Sequence, residues 1–245
     1  MNGIKHWLTP DWPAPSDIYA ATTLRTGGVS LPPYQSLNPA AHVGDNIDSV
    51  ISNRQRISDM LNLPTDPFWL EQIHSNQVIE VNANSMRGQI ADAAYTKDSG
   101  VVCAVMTADC LPLLVCSPDA KAIAAIHAGW RGLLSGIISN TLSAMHCDNY
   151  LVWLGPAIGP NCFEVGPEVR DAFVQKSTDF SYAFRSQQNG KWLADIYQLA
   201  KIELTGLGVT AIYGGNFCTV TDSQCFYSYR RDQQTGRMAT LIWRA

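Results

Sequence analysis

The sequence predicts an α+β fold in which strands of mixed direction pack beneath helices. Strand-like apolar runs outnumber helical ones and several are joined as hairpins, so the regular strand–helix alternation of a parallel sheet is absent. No internal repeat, low-complexity tract or linker interrupts the 245 residues, a length that fits one large domain. We therefore expect a single domain over residues 1–245.

The first elements are predicted to be a strand, a long loop and a helix. Residues 17–26 alternate moderately and lead into Gly-Gly, which indicates a strand and a turn. Residues 31–46 are rich in Pro, Asn, Gly and Asp and predict a long loop, a feature that is often functional. Residues 48–63 have helical spacing, with Asp48 as the expected N-cap and Pro64 after the end. The expected apolar face contains Val50, Ile51, Ile57, Met60 and Leu61.

Buried strands are expected in the middle of the chain. Residues 68–81 predict two strands on either side of a His-Ser-Asn turn. Residues 99–110 and 111–116 are nearly continuous apolar runs, which is typical of strands covered on both faces. The turn Ser-Pro-Asp-Ala-Lys then predicts that 111–116 and 122–128 form a hairpin.

Helices and strands are both predicted in the second half of the chain. Helical spacing predicts helices over 132–145, 166–177 and 193–208. Pro167 suits the first turn of the second of these helices, and Gly206 and Gly208 suit the end of the third. Strands are predicted at 150–160, where a turn follows, and at 210–216 and 238–244.

The composition argues against several functional classes. A net charge of −4, a pI near 5.7 and the absence of a basic stripe disfavour a nucleic-acid binder. No run of about 18 apolar residues is present, and the proline-containing start lacks the apolar segment of a secretory signal. We therefore expect a cytoplasmic monomer without a membrane span. Its seven cysteines contain no CxxC pair, so most are expected to be free thiols.

Three side chains at predicted strand ends suggest a metal site. If 111–116 and 122–128 form a hairpin, Cys110 and His127 lie near the same open end, and His74 ends another predicted strand. One thiolate and two imidazoles are a set that binds catalytic zinc and leaves one coordination position open. Each residue also has an ordinary interpretation, because single buried cysteines and histidines are often part of a core. The spacing alone leaves both interpretations open.

A series of motifs supports the metal hypothesis through a family resemblance. RTGGVS, PYQSLN, HVGD, QIHSNQV, TADCLPLL, HAGWRG, GPAIG, FEVG and FYSYRRD…GR occur in this order over residues 25–237. Together they resemble the multicopper polyphenol oxidase or laccase-domain proteins, also called YfiH-type or peptidoglycan-editing-factor proteins. The resemblance implies an α-β-β-α layered sandwich related to bacterial toxin deamidases. It also implies zinc ligation by His74, Cys110 and His127 at the QxH, ADC and HAGWRG positions.

The resemblance implies more than one activity. The family is described as acting on purine nucleosides, by phosphorolysis of adenosine, inosine and methylthioadenosine and by deamination of adenosine. Nucleoside and phosphate are then the expected partners. Zinc lowers the pKa of a bound water, which would account for the deamination. The alternatives are removal of misplaced L-Ser from peptidoglycan precursors and copper-dependent polyphenol oxidation. A true laccase is disfavoured because the five histidines include no His-x-His pair.

A non-catalytic alternative is a zinc-stabilised binding module. Structural zinc sites are usually closed by four protein ligands, whereas only three can be named here. A fourth ligand such as Cys103 or Cys116 would favour this alternative. Cys110 has a second interpretation as well, as a nucleophile paired with His127.

Further candidates follow from charge and position. Asp109 and His42 are expected as acid/base residues, and Asn38, Arg54 and Arg131 as contacts to phosphate or ribose. Ordinary roles exist for these residues too. The carboxylate of Asp109 would orient a ligand or form a turn, Arg54 would lie on a solvated helix face, and Asn38 would form an Asx turn.

Overall fold

The computed structural model describes residues 5–245. Its strands are β1 Trp7–Leu8, β2 Ile18–Thr23, β3 Val78–Glu80, β4 Ala93–Thr96, β5 Val102–Thr107, β6 Leu111–Cys116, β7 Ile123–Ala128, β8 Leu151–Leu154, β9 Glu164–Val165, β10 Phe184–Ser186, β11 Trp192–Ala194, β12 Ala211–Gly214 and β13 Met238–Arg244. The helices are α1 Ile47–Leu61, α2 Trp130–Ser135, α3 Ile137–Met145, α4 Pro167–Lys176, α5 Ile196–Gly206 and α6 Tyr229–Asp232. Short 3-10 helices cover Ala41–Val43, Thr178–Ala183 and Gln188–Gly190.

Two larger sheets organise these strands. One has the order β1-β2-β13-β5 and the other β12-β8-β6-β7-β4-β3, while β10-β11-β9 form a small third sheet. The pairs β12–β8 and β3–β4 are parallel, and β6–β7 is an antiparallel hairpin. The sheets are therefore mixed, as the sequence predicts.

The alternation of side chains along the central strands explains why their sequences are apolar throughout. Alternate residues of β6 enter different clusters: Leu113 packs against helices α3 and α5, whereas Leu114 packs between the two larger sheets. In β5, Cys103 likewise faces the other sheet, while Ala104 faces the side covered by α1. Since successive side chains point to opposite faces, a strand buried on both faces needs no polar positions.

The resulting order of layers is helix, sheet, sheet, helix. Ile57 of α1 packs on the outer face of the first sheet with Leu241 of β13. On the outer face of the second sheet, α3 and α5 contribute Leu142 and Leu199. The predicted α-β-β-α sandwich is confirmed, as is the predicted hairpin of β6 and β7, with Leu111 opposite Ala128. No helix within residues 5–245 is both long and apolar enough to cross a bilayer.

Some sequence predictions require correction. The N-cap of α1 is Asn46 rather than Asp48, because the Asn46 side chain accepts a hydrogen bond from Ser49 N at 3.0 Å. Ile51 is 59% exposed rather than part of the buried face. The helix predicted over 132–145 is two helices, since Gly136 adopts a φ of 88° and ends α2.

Several elements were not predicted from the sequence. They are β1, β4, β9, β10, β11 and α6, and each spans four residues or fewer. Elements this short do not complete enough periods for a hydrophobic pattern to stand out. They are stabilised by tertiary pairing instead, for example of β4 with β7.

Candidate metal centre

The turn between β5 and β6 places Cys110 at an edge of the sandwich. β5 belongs to one sheet and β6 to the other, so the chain crosses between sheets over three residues, 108–110. Asp109 in this turn has a φ of 91°, a left-handed conformation that is uncommon for a non-glycine residue. The crossing leaves the thiol of Cys110 half-buried at the mouth of the hairpin.

His127 reaches the same mouth from β7. It pairs with Pro112 across the hairpin, and its neighbours Ile126 and Ala128 pack on the helix side. Strand alternation therefore directs the imidazole to the opposite face, where it is 3% exposed. Its Nδ1 lies 2.8 Å from Asp92 Oδ1, which leaves Nε2 for a ligand.

Asp92 connects the third candidate ligand, His74, to His127. The buried Asp92 carboxylate accepts hydrogen bonds from His74 N at 3.0 Å and from both N and Oγ of Ser75 at 2.6 Å. These bonds hold the turn in which His74 adopts a φ of 61°. One carboxylate thus ties the His127 ring to the backbone turn that carries His74.

The ligand atoms of His74, Cys110 and His127 converge. They all lie within 4.8 Å of one another, and Cys110 Sγ is 3.7 Å from His74 Nε2. The two imidazoles meet edge to face, with ring centroids 4.8 Å apart. A soft thiolate and two imidazoles suit zinc or copper, so the donor set fits the metal that the motifs imply.

The group remains a three-ligand set within residues 5–245. Cys103 and Cys116, the two candidates for a fourth ligand, are fully buried between the sheets and do not belong to it. A set of three protein ligands leaves a position for water or substrate, which is the arrangement of catalytic rather than structural zinc.

Mutual interactions set the charge of these groups. Burial by itself would raise the pKa of Cys110, but the charge of His127 and hydrogen bonds from both imidazoles lower it to about 6. Burial would lower the pKa of His127, yet Cys110 and Asp92 raise it to about 9. For Asp92, hydrogen bonds from His127 and Ser75 outweigh burial and bring the pKa to about 2. Cys110 is thus held as the thiolate, the form that binds metal or attacks an electrophile.

The three groups line a pocket of about 450 Å³. Its other walls carry aromatic rings and guanidinium groups, from Trp130, Phe163, Tyr229, Arg131, Arg230 and Arg237. This volume lies in the range of small-molecule sites, which combine apolar walls with a few polar groups.

The structure brings Asp109, His42 and Arg131 to the same pocket. Both oxygens of Asp109 are engaged, by Thr219 Oγ1 at 2.6 Å and by Arg230 N at 2.6 Å, so this carboxylate fastens the α6 segment. The Arg131 guanidinium lies 4.4 Å from the ring centroid of Trp130. It belongs to the first turn of α2 rather than preceding the helix.

Arg54 and Asn38 do not line the metal pocket. Arg54 lines a neighbouring pocket and lies 4.6 Å from the ring centroid of Trp69. Asn38 is fully buried, and its side chain bonds to Ala40 N, Ala40 O, Asp45 Oδ2 and Arg237 N. All of its polar atoms are occupied by protein, so its place is in the loop framework rather than at a substrate.

The sequence interpretation missed other residues of the site. Arg230 and Arg237 lie in the motif FYSYRRD…GR, which contributes to the sequence analysis only through the family resemblance. The Arg230 guanidinium donates to Cys162 O and Glu164 O, both at 3.1 Å, and so ties α6 to the β9 region. Asp92 had no signal in the sequence, because its role depends on contacts with residues far away along the chain.

Gly129 leaves little room beside the ligands, which leads to a prediction. A β-carbon there would lie 3.0 Å from Cys110 Sγ and 3.1 Å from His74 Cδ2, while the backbone angles of φ −67° and ψ 163° suit alanine. We expect Gly129→Ala to lower the affinity for a metal ion such as zinc about tenfold by displacing the candidate ligands, with little loss of stability. Competition with a chelator measures the affinity. Gly206→Ala, with no atom within 4 Å of the added carbon, is the control, and equal affinities in the two variants would contradict the prediction.

Comparisons with known proteins give matches over nearly the whole chain. Residues 19–245 match the family model described as multi-copper polyphenol oxidoreductase laccase. The purine nucleoside phosphorylase YfiH of Shigella flexneri is 51% identical over 238 residues, which cover 96% of this chain and 98% of that protein. A purine nucleoside phosphorylase of Pseudomonas aeruginosa is 50% identical over 240 residues, or 97% of this chain and 98% of its own.

A solved structure extends this similarity to the fold. The crystal structure of a Neisseria meningitidis protein superposes with a TM-score of 0.94 at 46% sequence identity. The match covers 98% of this chain and 99% of that one. On the family model and on these relatives, the chain belongs to the multi-copper polyphenol oxidoreductase laccase family, whose members include the YfiH proteins.

Proposed function

We propose that this chain is a zinc-dependent purine nucleoside phosphorylase acting on adenosine, inosine and methylthioadenosine. The observation that carries the proposal is the three-ligand group of His74, Cys110 and His127 at the wall of a pocket lined by aromatic rings and guanidinium groups. Two relatives that are named purine nucleoside phosphorylases, at 50–51% identity, support the same reaction class.

The pocket walls supply the contacts that a nucleoside requires. Trp130, Phe163 and Tyr229 provide aromatic faces on which a purine can stack. Arg131 and Arg237 place positive charge on the same walls, and phosphorolysis needs such charge to hold phosphate. The combination favours a neutral, flat base next to an anionic co-substrate.

The ligand residues are held in place before a substrate arrives. Asp92 accepts from the His127 ring and from the backbone of the His74 turn, so the His127 ring is already oriented and the backbone that carries His74 is already fixed. Zinc held by such a set supplies Lewis acidity and activates water at neutral pH. Asp109 holds the start of α6 through Arg230 N and thereby positions Tyr229 and Arg230 at the pocket.

A second candidate reaction is cleavage of an amide, such as one to a misplaced L-Ser in a peptidoglycan precursor. Two contacts favour this reaction. Asp92 orients His127, and His127 lowers the pKa of Cys110, which is the arrangement of a Cys-His-Asp catalytic triad. In this reaction the Cys110 thiolate attacks the carbonyl, the C–N bond breaks as His127 protonates the leaving amine, and water then hydrolyses the thioester to release the acid and the thiolate. The same thiolate cannot readily bind zinc at the same time.

The assay that tests the proposal separates these reactions. Zinc-loaded protein with adenosine or inosine is expected to release free base only when phosphate is present, with ribose 1-phosphate as co-product. We propose deamination of adenosine as a second activity, and inosine formed without phosphate would be its sign. If the protein releases no base with either zinc or copper but cleaves an L-Ala–L-Ser peptide precursor, the phosphorolysis proposal is refuted and the amide reaction is supported.

A further inference from the structure

A second pocket adjoins the metal pocket. It encloses about 550 Å³ and is lined on one side by residues of α1 and on another by the segment 66–71. His42 and Met106 line both pockets and therefore mark their junction. A ligand at this junction can contact the metal pocket and the second pocket together.

Arg54 approaches the junction from α1. Its Nε donates to Pro39 O at 2.8 Å, three residues before His42, and its guanidinium lies 4.6 Å from the ring centroid of Trp69. Neither Nη of Arg54 has a hydrogen-bond acceptor in the described part of the chain. The side chain is therefore held at one nitrogen and along one face, with its outer donors left for a ligand.

Arg237 approaches the junction from the metal side. Its Nη1 donates to Thr235 O at 3.1 Å and Gly236 O at 2.9 Å, while Nε and Nη2 have no acceptor among residues 5–245. The backbone N of Arg237 and that of Ala40 both donate to Asn38 Oδ1, at 3.0 and 3.1 Å. Asn38 thereby fixes Arg237 relative to the loop that carries His42.

Neither guanidinium group forms an ion pair with a carboxylate in the described part of the chain. Among residues 5–245, no carboxylate lies within 4.0 Å of either one, although Asp66 and Glu71 also line the second pocket. The Cys110 thiolate and then Asp109 raise the pKa of Arg237 electrostatically, but the thiolate makes no hydrogen bond with Arg237 and the Asp109 oxygens are occupied by Thr219 and Arg230.

The pKa values of Arg54, Arg237 and His42 are consistent with positive charges that lie close together and are partly buried. Burial lowers the pKa of Arg54 and of Arg237, and the pKa of His42 is lowered by burial and then by the charges of both arginines. Partly buried positive charge without a partner costs free energy, and a bound anion would offset that cost.

We propose that Arg54, Arg237 and His42 form an oxyanion-binding subsite at the junction of the two pockets, specific for a phosphate-type group. The subsite deepens the proposed phosphorolysis and rests on it for its place in the reaction. The phosphate has two possible sources, free inorganic phosphate as co-substrate or a phosphate carried by a larger substrate that extends into the second pocket.

Binding measured by calorimetry on the zinc-loaded chain tests the subsite independently of activity. The probes are inorganic phosphate and adenosine 5′-monophosphate, with adenosine as the uncharged reference. We expect Arg54→Gln and Arg237→Gln each to weaken binding of at least one phosphate probe about ten- to a hundredfold, while zinc content and adenosine binding are retained. Arg56→Gln is the matched control, because Arg56 lies two residues along the same helix and lines neither pocket.

The pattern of losses identifies the source of the phosphate. Weaker binding of free phosphate supports the co-substrate site, whereas loss confined to the monophosphate supports a tethered phosphate. Arg54→Lys keeps the charge and is expected to recover part of the affinity. If both glutamine variants bind both phosphate probes as tightly as Arg56→Gln does, the subsite is refuted. That result would not refute the proposed phosphorolysis, because release of free base is measured in a separate assay.

Discussion

Cys110→Ala is expected to remove most of the bound zinc and to reduce phosphorolysis by about a hundred- to a thousandfold or more. The thiolate is one of only three ligand groups in the described site, and its low pKa makes it the anionic member of the set. Loss of the Lewis acid removes several kcal/mol of transition-state stabilisation, which corresponds to that change in rate. Elemental analysis and kcat/KM for adenosine measure the two effects.

The control for this variant is Cys147→Ala, because Cys147 is also partly buried but lines a different pocket. Full zinc occupancy in Cys110→Ala would refute the ligand assignment. If activity is nevertheless lost while zinc stays bound, the result supports Cys110 as the nucleophile. Alkylation of the wild type without metal loss would then inactivate it as well.

Asp92→Asn is expected to lower zinc affinity about ten- to a hundredfold and to destabilise the metal-free protein by about 2 kcal/mol or more. The buried carboxylate accepts from His127 Nδ1, His74 N and both donors of Ser75. An amide has one acceptor oxygen, so its NH2 would face one of these donors and leave it unpaired in the interior. Chelator competition and denaturant unfolding of the metal-free chain measure the two quantities.

The difference in unfolding free energy between wild type and Asp92→Asn should decrease as the pH is lowered. The pKa of Asp92 is lowered from 3.8 to about 2 in the folded chain, so the ionised carboxylate stabilises the fold above about pH 4. This stabilisation is lost as the pH falls toward 2, and the gap between wild type and Asp92→Asn should narrow there. Asp98→Asn, the same exchange at an exposed position, is the control. An equal stability of the Asp92 and Asp98 variants at pH 7 would show that Asp92 does not support the site.

The sequence predicted the parts of the fold that are encoded in local pattern. The strands at β5, β6, β7 and β13 and the helices α1, α4 and α5 were recognised because each has a clear apolar period or run. The N-cap of α1 was placed two residues too late, since Asn46 and Asp48 are both good capping residues and the choice between them depends on the approach of the loop. The break at Gly136 was missed, because a single glycine is compatible with a continuous helix.

Pattern and short spacing predict the α+β class and the β6–β7 hairpin, whereas the layered sandwich and the ligand set of His74, Cys110 and His127 are implied by the family resemblance of the motifs QxH, ADC and HAGWRG. Each of these features can be read from residue types that stand close together in the chain. The tertiary structure adds that Asp92 connects two of those ligands, that Asn38 belongs to the framework, and that Arg54 and Arg237 line two adjoining pockets. Such contacts join residues up to 199 positions apart. Their geometry is set by how the two sheets and the covering loop pack, and no local pattern in the chain carries that information.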